Sequence, residues 1–147
     1  MAVVATQEIV KPVAVLAAWT MVMLVWLYVS RTAARDQIKV DPRDMVGGTS
    51  WDVDRMLSGK ANWAAHNYNH LHEAPTVFYA VALLLALMGQ GNGIAAALAW
   101  AYVALRIVHS VWQATVNRIL VRLALFGLSS LVLMALTLLA VKAAFGF

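Results

Sequence analysis

Asn62–Tyr79, NWAAHNYNHLHEAPTVFY, decides how this chain is read, because here a cluster of polar side chains runs without interruption into an apolar helix. Three of the four histidines, His66, His70 and His72, lie in it. At helical spacing Asn62, His66, Asn69 and Glu73 fall at i, i+4, i+7 and i+11, on one stripe, with His70 beside it one turn before Glu73. Beyond Pro75 the sequence is almost wholly apolar as far as Met88, so one end of this helix is polar and the other suits lipid.

Working outward, the same contrast holds for the whole chain. Its 147 residues are 63% hydrophobic and 12% charged, with a mean hydropathy of +0.75. That is far from a soluble domain of ordinary composition. A helix needs roughly 20 mainly apolar residues to cross the hydrocarbon core. Segments of about 12–29, 64–88, 94–116 and 119–145 meet or approach this requirement, which predicts an all-α membrane protein, a four-transmembrane-helix bundle running up-down-up-down as a single domain over residues 1–147. Met1–Lys11 contains Glu8, and the first apolar segment ends in arginine rather than a small-residue cleavage site, so it reads as a retained helix and not a signal peptide. Without cysteine, a disulfide, a thiolate metal site and a thiol nucleophile of the protein's own are all excluded.

Between the first two spans, residues 31–61 form a polar connection with Asp-Pro, Gly-Gly-Thr-Ser and Ser-Gly turn signals. Glycine-rich GQGNG makes the second and third spans antiparallel neighbours, and little more than Asn117 and Arg118 separates the third from the fourth. The long connection carries Arg31, Arg35, Lys39, Arg43, Arg55 and Lys60, and the last turn adds Arg118 and Arg122. Lys11 and Lys142 are the basic residues of the other side. The positive-inside rule therefore puts both basic connections in the cytoplasm and both termini on the opposite side. The net charge of +4 follows these boundaries instead of gathering on a soluble aromatic face, so no nucleic-acid partner is expected.

Ionisable groups within the spans carry the functional signal, since each costs about 2.5–3.5 kcal/mol at a helix centre on insertion scales. Measured back from GQGNG at ~1.5 Å per residue, Glu73 lies roughly 24 Å along the second span, and Arg106 and His109 roughly 20 and 24 Å along the third. Arg106, His109 and Gln113 share a face, Asn117 continues it, and Arg122 opens the fourth span at the same surface. A buried Glu73–Arg106 ion pair would fix packing, but it leaves His66, His70, His109, Asn69, Gln113 and Arg122 unexplained. A site for a polar, anionic ligand accounts for this excess of donors. Pro75 predicts a kink beside the site, because it cannot donate to the Leu71 carbonyl. A metal reading of His66, His70 and Glu73 (H-x-x-x-H-x-x-E) is the third alternative; its spacing is permissive and unspecific.

HNYNHLHEAPTVFYAVALLLALMG followed by ALRIVHSVWQATVNRILVRLALF resembles the MAPEG family, membrane-associated proteins in eicosanoid and glutathione metabolism, in its bacterial branch. The resemblance rests on N-x-x-x-x-x-E-x-P-x-x-F-Y, R-x-x-H-S and N-R-x-x-x-R. It implies a homotrimer of four-helix subunits in the bacterial inner membrane, holding glutathione as co-substrate between neighbours at the cytoplasmic end. On this resemblance Glu73, Arg106, His109, Arg118 and Arg122 match family positions, with Arg122 beside the glutathione thiolate. Asn69 and His70 stand where members commonly have arginine then asparagine, Gln113 where a tyrosine is often found, and Leu123 where a small polar residue is usual. Arg31 and Arg35, at the end of the first span, are the cations available to compensate. The implied activity is a glutathione transferase or peroxidase acting on lipophilic small molecules that enter from the bilayer. The alternative is a non-catalytic protein of the same fold that binds a lipid head group or a partner.

Overall fold

The computed structural model describes residues 7–146; the ends of the expected domain, 1–6 and 147, lie outside the described residues. Four helical stretches are long and apolar enough to cross a membrane: Val10–Ala33, Gly59–Leu87, Ile94–Thr115 and Ile119–Phe145. The first is helix α1 (Val10–Ala33). The second comprises α3 (Trp63–His70) and α4 (Ala74–Leu87). The third and fourth are α5 (Ile94–Thr115) and α6 (Ile119–Phe145). Between α1 and α3, α2 (Ser50–Met56) and three short 3-10 turns order the connection expected to be a loop.

Each long helix buries a narrow stripe at 3–4 spacing: Ile9, Pro12, Leu16, Thr20 and Met23 at α1; Pro75, Phe78, Ala82 and Leu85 on α4; Ser129, Leu133, Leu136 and Ala140 on α6. The opposite faces expose Val22, Val25, Leu84, Leu87, Leu131 and Leu138, apolar residues that water would not favour and lipid does. In lipid the helices gain little from hydrophobicity alone, so close packing holds them together. On α5, Ala95, Ala96 and Ala99 are buried, and their short side chains let neighbouring backbones approach. The packing sets α1 against α3 and α5, α5 against α6, and α6 against α4, which puts α1 and α6 at opposite corners.

The second span is broken, not merely kinked. Pro75 occupies the first turn of α4, where its missing N–H costs nothing. The turn ahead tightens to i→i+3 bonds, from Leu71, His72 and Glu73 N–H to the Tyr68, Asn69 and His70 carbonyls. His72 Nδ1 donates to the Tyr68 carbonyl at 2.8 Å, and Thr76 Oγ1 to that of Glu73 at 2.6 Å, closing the break from both sides. The uninterrupted stripe expected for Asn62, His66, Asn69 and Glu73 therefore does not form. Asn62 and Asn67 are buried, whereas His66, Asn69 and Glu73 are exposed.

At the far end, α4 closes with Gly89 at φ +72, the Gln90 N–H on the Leu85 carbonyl at 2.8 Å and the Gly89 N–H on that of Ala86 at 3.1 Å. The chain entering α1 is stitched onto this turn. Ile9 N–H donates to the Gly91 carbonyl (2.9 Å), Gly91 N–H to Gln7 Oε1 (3.0 Å), and Glu8 N–H to Asn92 Oδ1 (2.9 Å). Gly91 is required by proximity: a Cβ there would lie 2.5 Å from Ile9 Cγ2 and 2.9 Å from Gln7 Cβ.

Candidate functional site

The polar end of the bundle is built on α5. Tyr102, Arg106, His109 and Gln113 follow at 4–3–4 spacing on its inner face, and all are buried. Arg106 is wholly buried: its Nε donates to Tyr102 Oη at 3.0 Å, and its Nη1 meets His70 Nε2 at 3.3 Å. Its Cζ also sits 5.3 Å from the ring centres of both Tyr102 and Phe126, in range for cation–π attraction. Tyr102 is fixed in turn by stacking on Phe78 at 4.6 Å.

His70 stands where a Glu73–Arg106 pair was expected. Its Nδ1 lies 2.5 Å from Glu73 Oε2, and its Nε2 faces the guanidinium. A guanidinium has no lone pair, so Nε2 accepts, Nδ1 carries the proton, and the imidazole is neutral between a carboxylate and an arginine. The break at 71–73 explains the change. It turns Glu73 outward, leaving its side chain 66% exposed, and lets the last residue of α3 reach inward in its place. Among the described residues Arg106 touches no carboxylate.

The other expected residues divide clearly. His109 is buried with its ring 5.2 Å from that of His70, and Gln113 Oε1 accepts from Asn67 Nδ2 at 2.9 Å in the interior. Arg122 is half-buried at the start of α6, and its Nη1 donates to Asn117 Oδ1 at 2.8 Å. Arg118 is exposed, as is Asn69, whose carbonyl accepts from the His72 N–H. Arg31 and Arg35 do not join the site as expected. Arg31 Nη2 is held by Asp54 Oδ1 at 2.7 Å, and Arg35 extends into solvent beside Asp36 at 3.7 Å. Asp54 also takes His66 Nε2 at 3.2 Å. This separates His66 from His70 and Glu73 and removes the geometric basis of the metal reading. Among the described residues no group of three histidine or acidic side chains is arranged to hold a metal ion.

Two positioning residues, Asn67 and Asn117, stand in the quoted motifs but receive no site role from the sequence. Asn67 anchors Gln113 from one position beyond His66, where the assumed stripe pointed the wrong way. Asn117 has φ 57, the left-handed conformation that asparagine tolerates better than most side chains, and this terminates α5 while aiming its amide at Arg122. The signal available was an isolated Asn-Arg between two long apolar runs.

His70, His109, Ile119, Arg122, Leu123 and Phe126 line a cleft of about 340 Å³. Arg106 Nη2, Arg122 Nε and Ser110 Oγ are buried without a partner among the described residues. Buried donors are ordinarily satisfied, and an arginine N–H left unpaired is costly. A guanidinium, two imidazoles and apolar side chains line this cleft with no acid among its lining residues, an environment suited to an anion carrying an apolar portion.

These features define an integral membrane protein of four spans with a cation-lined cleft at one end of the bundle. The model of the MAPEG family matches residues 9–142, nearly the whole chain, and the protein belongs to that family. No match was found among curated proteins or solved structures.

Proposed function

We propose that the cleft holds glutathione and that the protein is a membrane glutathione transferase or peroxidase acting on lipophilic electrophiles. The observation that carries this reading is the pair of guanidiniums, Arg106 and Arg122, each with a buried N–H unpaired and no carboxylate partner among the described residues. Arg122 lines the cleft itself and is the group suited to stabilise a thiolate as the thiol loses its proton; a preorganised donor of this kind acts most strongly where water is excluded. Arg106, His109 and the His70–Glu73 pair serve the peptide part, and Ile119, Leu123 and Phe126 offer an apolar wall to a co-substrate arriving from the bilayer. The protein has no cysteine, so the nucleophilic sulfur belongs to the ligand.

In this reading the protein is a homotrimer in a bacterial inner membrane, with both basic connections in the cytoplasm and a neighbouring subunit beside the cleft. Family membership and the charge distribution support that arrangement. Isothermal titration of the detergent-purified protein with glutathione tests it. Saturable heat with a rise in melting temperature is expected, and neither effect at millimolar ligand defeats the proposal. The non-catalytic alternative, a lipid head group on the same guanidiniums, is favoured by Leu123 standing in the cleft. Native mass spectra with phospholipid lost on Arg122→Ala and no glutathione adduct would establish it.

A further inference from the structure

A second cleft, of about 460 Å³, lies at the opposite end of the bundle, where the end of α4, the 89–93 turn, the start of α5 and the last turns of α6 converge. Its volume is in the range of small-molecule sites. Leu85 and Leu139 line it deeper along the membrane-spanning helices, and Ala95, Ala143, Gln90, Asn92 and Lys142 line it toward the end of the bundle. An apolar part inside the span and a polar part at its edge match an amphiphile lying along the helices with its head at the membrane surface.

Charge selects the amphiphile. Among the described residues this end carries two lysines. Lys11 Nζ is engaged by Glu8 Oε2 at 2.7 Å, whereas the Lys142 ammonium meets no hydrogen-bond or ion-pair partner among the described residues. Among the described residues Glu8 is the one acid of this end, and it is already paired with Lys11. Asn92 Oδ1 accepts from the Glu8 N–H at 2.9 Å, which fixes the amide with both Nδ2 hydrogens left over as donors. The Gln90 amide likewise has no partner among the described residues. The polar part thus has an unpaired cation and spare donors, with no acid among its lining residues. We infer that this cleft is a binding site for an anionic phospholipid, its phosphate on Lys142 and Asn92 and an acyl chain against Leu139 and Leu85. A zwitterionic lipid would bring its own cation to Lys142 and gain less.

Native mass spectrometry of the protein in mild detergent, titrated with phosphatidylglycerol and with phosphatidylcholine of the same chains, tests this. Phosphatidylglycerol should be retained in preference. Lys142→Ala should weaken its binding about fivefold, the worth of one lysine at an anionic surface, and remove the preference; Lys142→Arg should keep both. Ala143→Trp, which fills the cleft and leaves every charge in place, should exclude the lipid, while Lys11→Ala should leave it bound. The inference is overturned if the two lipids are retained equally, if Lys142→Ala has no effect, or if the lipid is lost on Arg122→Ala instead. Displacement by inorganic phosphate at the concentration of the lipid would also overturn it, because the ligand would then be the free ion.

Discussion

The two ends of the bundle solve the same problem in opposite ways. Where α1 enters, backbone N–H groups of residues 8, 9 and 91 are taken up by the Gly91 carbonyl and the Gln7 and Asn92 side-chain amides, Gly91 leaves no space for a side chain, and the ends are joined by short bonds. At the polar end the second span breaks, an arginine is buried, and six buried polar atoms, on Arg31, Asn62, Asn67, Arg106, Ser110 and Arg122, have no partner among the described residues. Stability accounts for the first arrangement. It does not account for the second, since a fold under selection for stability alone would fill those positions with apolar residues of similar volume. The difference teaches where the chemistry is to be sought.

The contrast is open to direct attack. Arg122→Ala should leave the melting temperature nearly unchanged and lower turnover of a glutathione conjugation assay about 100-fold or more, the usual loss on removing one preorganised donor; comparable turnover would mean that Arg122 has no part in catalysis. Gly91→Ala should act at the other end only. Overpacking against Ile9, which is 0% exposed, and against the Ala86 backbone costs about 1–3 kcal/mol, read as a lower melting temperature with the glutathione affinity retained.

His70→Ala should remove a similar amount, about 1–3 kcal/mol, by stranding Arg106 Nη1 in the interior, and should reduce ligand affinity as well. Asn117 sharpens the distinction further. Asn117→Gly keeps the left-handed turn and loses the bond to Arg122, so turnover should fall while stability holds. Asn117→Ala should also lose about 1–2 kcal/mol of stability from the unfavourable backbone.

The smallest effect is expected in the connection. The Thr49 N–H and hydroxyl on Asp52 hold its carboxyl below the ordinary 3.8 at the start of α2. A depressed pKa stabilises the folded turn above the unfolded value, and that contribution disappears as pH falls through the folded one. Amide exchange at 50–53 should therefore quicken in acid below pH 3.8 in the native protein. In Asp52→Asn it should be independent of pH over the same range, once intrinsic exchange rates are divided out.

Much of this was legible in the residues. Four apolar runs with charged boundaries give four spans, because the hydrocarbon core permits few other solutions. The depth matching of Arg106 and His109 with the end of the second span depended only on helical rise, and both residues do meet a side chain from that span. Helical periodicity failed beside Pro75. The tightened turn at 71–73 shifts the phase of the helix, so Glu73 leaves the interior, His70 replaces it, and Asn67 rather than Asn69 faces inward. Arg31 and Arg35 were placed by proximity in sequence, yet Asp54, 23 residues further on, captures Arg31 through a long-range contact that no local pattern reveals. Asn117 falls on the polar face by spacing, but its role in ending α5 and holding Arg122 depends on its left-handed backbone.

The central claim is that the polar end ionises the thiol of glutathione. Ultraviolet difference spectroscopy on the purified protein observes this step itself, as a thiolate band on mixing with glutathione. The band should appear at neutral pH with saturating amplitude in the native protein, be lost in Arg122→Ala, and be absent with S-methylglutathione, which has no proton to lose. Glutathione binding with no thiolate band, or an undiminished band in Arg122→Ala, would contradict the account.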